Sequence, residues 1–133
     1  KANAKVIGVD VDQAGVIAKY AEVEGMTVTS AMKGLYPATY DALTDIILNG
    51  KWADYAGKIV TLGLVSGEDP TLNYVQIPMG DGTQWSDSFT VENYKALVKD
   101  LFDGKISVSA DITKTAADFA TVITVDDQGK IKG

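Results

Sequence analysis

The sequence predicts an α/β fold, and two observations carry that reading. Short, β-branched apolar runs alternate with stretches whose apolar residues recur at helical spacing. Glycine, proline and Asx residues punctuate the boundaries between them. At 133 residues the chain is long enough for one domain with one core, and it reads as a single α/β unit over residues 1–133.

The elements follow in order. Lys5–Val9 reads as a buried strand, and Asp10–Gly15 as the loop after it. Val16–Glu24 is weakly helical and stops at Gly25; Met26–Thr29 is a second short strand. Pro37 suits a first helical turn, where its missing N–H would be unpaired anyway. Tyr40, Leu43, Ile46 and Ile47 then form an apolar face that Asn49-Gly50 terminates. Lys58–Leu64 is expected to be a strand of the buried type, with a shorter one at Asn73–Ile77. Pro78–Ser88 is a polar loop carrying an exposed Trp85. Thr90 is an N-cap with Asn93 in the reciprocal position. Tyr94, Leu97, Val98, Leu101 and Phe102 share one helical face, closed by Gly104. Ile106–Ser109 reads as a strand and Ala116–Phe119 as a helical turn. Val122–Val125 and Lys130–Lys132 read as arms of a hairpin.

Composition narrows the chemistry. The net charge is −6 and no basic block occurs, which argues against a nucleic-acid partner. All twelve basic residues are Lys, so no bidentate guanidinium fork is present. The chain has no Cys and no His, which removes thiolate and imidazole catalysis and most zinc sites. No apolar run approaches the ~18 residues of a membrane span. A chain that opens at Lys1 is expected to be a piece of a longer protein.

One motif carries chemistry: the stretch VIGVDVDQAG, residues 6–15. Asp10-Val11-Asp12 after an apolar strand matches the start of haloacid-dehalogenase-like phosphatases. There the first Asp attacks phosphorus, the second moves protons and Mg²⁺ neutralises charge. Thr29 or Ser30, Lys51 or Lys58, and Gly80-Asp81-Gly82 with Asp87 would supply the remaining parts. The pattern breaks at Ala14, where that family carries Thr or Val, and at Pro78, which argues against a central strand. The other reading makes Asp10 a carboxylate at a strand tip that accepts ligand hydroxyls. Asp12 then caps the segment Gln13–Tyr20. Trp52 and Trp85 are core or loop anchors more readily than stacking platforms.

The stretches VIGVDVDQ (6–13), VTSAMKGLYPATYDAL (28–43), LNGKW (48–52), GKIVTLGL (57–64) and LFDGKISV (101–108) together resemble the C-terminal part of the basic membrane protein family. These are substrate-binding lipoproteins of ABC transporters, purine-nucleoside receptors among them. The resemblance implies a type I periplasmic-binding-protein-like α/β fold, of which this chain would hold parts of both lobes. It implies a nucleoside held in an interlobe cleft, no catalysis, no cofactor and no metal. Asp10 matches the family's ribose-binding aspartate and Lys33 its ribose-contacting lysine. Gln13 and Ser30 lie within the matched stretches and take orienting roles, with Asp12 beside them. The resemblance further implies an ABC permease as partner and an extracytoplasmic location, anchored through a lipidated segment upstream of Lys1. The aromatic residues that sandwich the base would also lie upstream. These 133 residues alone are therefore expected to bind nucleoside weakly or not at all. Incomplete lobes leave open edges and apolar faces, so pairing into a homodimer is a further expectation.

Overall fold

The computed structural model describes residues 4–129. It is a small mixed α/β domain: a three-stranded mixed sheet with several helices. Strand β1 (Val6–Asp10) leads through helix α1 (Ala14–Ala21) into strand β2 (Thr27–Lys33). The two strands pair in parallel, as such a crossover requires. Gly8 lies opposite Ser30, Val9 opposite Ala31 and Asp10 opposite Met32. The ladder thus keeps Asp10 in β1, where the sequence places it in the following loop.

Helix α2 (Leu35–Leu43) follows β2 directly, with Pro37 buried in its first turn. It widens into a π-helical turn, Thr44–Leu48. There the Asp45 carboxylate accepts from Asn49 Nδ2, Lys51 Nζ and Tyr55 OH, ending the helix and holding a short helix α3 (Trp52–Tyr55) against it. Those bonds, Asn49's foremost, hold the Asp45 carboxyl below the usual range.

Strand β2 runs four residues further than the sequence predicts because its second edge finds partners. Strand β3 (Val75–Gln76) pairs antiparallel with Met32 and Lys33. Nearer the start of β2, the loop after β3 takes over. Gln84 N–H donates to Val28 O, and Gln84 Nε2 donates to Thr27 O and Gly25 O. Thr83 and Thr29 hydroxyls share a bond of 2.8 Å. Asn73, fully buried, organises the approach to β3. Its Oδ1 accepts from the N–H groups of Val65 and Ser66, and its Nδ2 donates to Ser66 O. Tyr74 OH donates to Asp41 on α2 at 2.6 Å. That bond, with some burial, pushes the Tyr74 phenol up to about 12.

Helix α4 (Val91–Phe102) carries the expected Thr90–Asn93 capping box. Its Tyr94 and Val98, 7% and 3% exposed, are the buried core hydrophobic side chains among the described residues. Trp85 packs against Tyr94 and Phe89 at ring distances of 6.1 and 6.3 Å; it is half-buried and acts as a loop anchor. A last helix, α5 (Ala116–Phe119), is a single turn.

Three expected strands do not form. Lys58–Leu64 and Ile106–Ser109 carry no ladder, and neither does Val122–Val125, whose opposite arm Lys130–Lys132 lies outside the described residues. A strand exists only where a second strand takes its N–H and C=O groups. These runs find no partner strand: Tyr74 N–H donates to Gly63 O, while Lys58 N–H and Ile106 N–H turn back to Tyr55 O and Asp100 O. Ile59 is 100% exposed and Ile112, just after the second run, 97%. The sheet is likewise bare on the face carrying Ile7 and Val9, although parallel sheets are normally covered on both sides. The accessible surface totals 10267 Å². A folded monomer of 14.1 kDa exposes about 6,700 Å².

Candidate functional site

The carboxyl ends of β1 and β2 bring Asp10 and Lys33 together. Lys33 Nζ lies 2.7 Å from Asp10 Oδ1, with the two side chains 69% and 54% exposed. In so open a setting the pair contributes under about 1 kcal/mol to stability. Among the described residues no other group donates to the Asp10 carboxylate. An ion pair that adds little to folding but presents acceptors and a cationic donor side by side suits a ligand bearing neighbouring hydroxyls.

The pair opens on a hollow of about 230 Å³, lined also by Val11, Met32, Leu35, Tyr36, Thr71 and Gln76. Lys33, Gly34 and Leu35 also line a second, more apolar hollow of about 300 Å³ with Ala38, Val60, Leu62 and Tyr74. Together they reach the lower part of the ~300–1,000 Å³ range of small-molecule sites. Thr71 and Gln76 have no local signal in the sequence. They reach this end of the sheet because β3 pairs with Met32 and Lys33, and Gln76 Nε2 then donates to Thr71 O and Asn73 O.

Asp10 has a left-handed backbone, φ 73°. Val11 N–H donates to Val9 O at 2.9 Å, so Asp10 is the centre of a tight three-residue turn. This turn is strained for any residue with a Cβ, though Asp tolerates it better than most. Strain of this kind collects at binding sites.

Asp12 is elsewhere. Its Oδ1 accepts from Ala14 N–H at 3.1 Å, one residue into α1, and its carboxylate packs on Gly82, where a Cβ would collide with it. It lines a different cavity, with Lys19, Glu24, Asp81 and Gln84. The two aspartates therefore do not face a common centre. Among the described residues no group of three or more acidic side chains is placed to hold a metal ion. Thr29, Ser30 and Lys51 are each engaged by protein partners, Thr83, Gln13 and Asp45.

Gln13 and Ser30 sit behind Asp10. Ser30 is fully buried and its Oγ accepts from Gln13 N–H at 3.1 Å. Gln13 Oε1 in turn accepts from Val9 N–H at 3.0 Å. Trp52 is exposed at the start of α3 and lines neither hollow. No protein-family model, no curated protein and no solved structure matches this chain.

Proposed function

We propose that the chain is the ligand-hydroxyl-binding part of a solute-binding protein of the type I periplasmic-binding kind, serving an ABC transporter. The solute is a nucleoside or a similar polyol-headed molecule, and no covalent chemistry is performed on it. The observation that carries the reading is the exposed Asp10–Lys33 pair at the carboxyl ends of two parallel strands, the place where open α/β sheets bind ligands. The apolar hollow across Lys33–Leu35 gives a body attached to the polyol somewhere to lie. The resemblance of residues 6–13 and 28–43 to the basic membrane protein family supplies the nucleoside, the permease partner and the extracytoplasmic, lipid-anchored setting.

Nuclear magnetic resonance titration with inosine tests the reading. Shifts at Asp10 and Lys33 are expected at millimolar concentrations, with no comparable response to 2′,3′-dideoxyinosine. Equal responses to both would sink the diol assignment. A Mg²⁺-dependent phosphatase using Asp10 as nucleophile is the second reading, and the separation of Asp10 from Asp12 weighs against it. Turnover of a generic phosphate ester with Mg²⁺, abolished by Asp10→Asn, would restore it.

The large exposed surface supports an assembly. The excess over a monomer of this mass is roughly 3,500 Å² per chain, about 7,000 Å² for two copies, more than the ~2,000–5,000 Å² that most obligate interfaces bury in total. Two copies pairing through their apolar faces would remove a large part of it. Light scattering at tens of micromolar is expected to give twice the chain mass; a monomeric mass counts against pairing.

A further inference from the structure

We propose that Gln13 is a positioning residue that holds Asp10 in its left-handed turn, and that Gly8 and Ser30 exist to seat Gln13. The functional consequence rests on the ribose-binding reading of Asp10; the conformational claim does not.

In regular extended backbone, residue 10 would share a face with Gly8, two positions earlier. That face is where Ser30 and Gln13 lie, behind the strand. The positive φ takes Asp10 out of the alternation at the point where Lys33 meets it. Something must hold a turn that residues with a Cβ avoid. Val9 is tied at both ends: its C=O accepts from Val11 N–H across the turn, and its N–H donates to Gln13 Oε1. Without the second bond, Val9 N–H would lie open on the outer edge of β1, since the other edge is taken by β2.

Gln13 is held in turn by β2. Its N–H donates to Ser30 Oγ, and Ser30 is 0% exposed. The close approach needs a residue without a side chain at position 8: a Cβ there would come within 2.5 Å of Ser30 Oγ and 3.0 Å of Gln13 Cβ. Gly8, Gln13 and Ser30 thus form a chain of contacts from the central strand to the turn at Asp10. A side-chain amide is used where a strand would otherwise continue, and it also blocks pairing of the outer edge beyond Ile7.

Gln13→Leu keeps the volume and removes the acceptor; Gln13→Glu keeps the acceptor. The backbone coupling constant between the amide and α protons of Asp10 reports φ without any ligand. In Gln13→Leu it is expected to rise toward the value of an extended strand, while the thermal midpoint moves little and the inosine-induced shift at Lys33 is lost. Gln13→Glu is expected to restore both readings. If Gln13→Leu does not fold, Ser30→Ala loosens the same link and should move the Asp10 coupling in the same direction. An Asp10 coupling unchanged in the folded variants overturns the proposal. Absence of any inosine response in the wild type, with the coupling moving as stated, overturns ribose binding by these 133 residues and leaves the lock standing.

Discussion

Two groups of apolar, β-branched segments in this molecule have opposite fates. Val6–Asp10 and Thr27–Lys33 form a parallel ladder whose second edge is closed by β3 and by Gln84. Residues 58–64 and 106–109 have similar composition but no ladder, and Ile59 and Val108 face solvent. Composition does not separate the groups. The difference is connection: a helix of eight residues returns the chain alongside β1, so the partner strand arrives locally. The unpaired runs have no neighbour delivered to them in this way.

The sharpest way to break the ordered side of this comparison is at Asn73. Replacing it by Ala leaves the part-buried N–H groups of Val65 and Ser66 and the carbonyl of Ser66 without their partner. A loss of about 3 kcal/mol is expected in denaturant unfolding; a loss below 1 kcal/mol would mean water replaces the side chain there. Val98→Ala comes next. Val98 is 3% exposed, and removing its methyls should cost about 2 kcal/mol, counting the cavity. Unfolding that is indifferent to it would show that α4 packs elsewhere in solution.

Tyr74→Phe is expected to cost about 1.5 kcal/mol, the scale of a hydrogen bond to a charged acceptor. It carries a pH signature. The folded state holds the Tyr74 phenolic proton more tightly than the unfolded chain does, with its pKa raised from 10.0 to about 12. Its contribution is therefore full below the unfolded value and is lost as pH rises through the folded one. The alkaline limb of the stability profile should flatten in Tyr74→Phe. A wild-type tyrosinate titration in which every tyrosine ionises near 10 would contradict the Asp41 contact.

The smallest effect belongs to the unpaired side. Ile112→Ser should change stability by less than about 0.5 kcal/mol, because a side chain 97% exposed has no burial to lose. A loss above 1 kcal/mol, with the mass of a dimer in light scattering, would place this segment inside an interface between copies.

Much of the local structure is legible in the residues. Thr90 and Asn93 announce their capping box, Pro37 enters the first turn of α2, and Ala116–Phe119 forms its single turn. Each depends on contacts within a few positions. The strand assignment at Lys58–Leu64 fails because β-branched composition says that a run would suit a ladder, not that a partner is at hand. At the candidate site, Asp10 and Lys33 are visible through their motifs. Thr71 and Gln76 are not, because a two-residue antiparallel pairing from over forty positions away brings them there.

The amino-acid sequence by itself determined the α/β character, the two ends of α4 and the placing of a carboxylate at the end of an apolar strand. These follow from propensity, capping and period, which act over a few residues. Only the tertiary structure decided that Asp10 and Asp12 open on different cavities, and that Asp10 turns left-handed toward Lys33. Two aspartates at i and i+2 would share a face in a continuing strand. The turn at Asp10, closed by Val11 N–H on Val9 O, breaks that alternation, and Val9 N–H is taken by a glutamine whose own seat is a serine on the neighbouring strand.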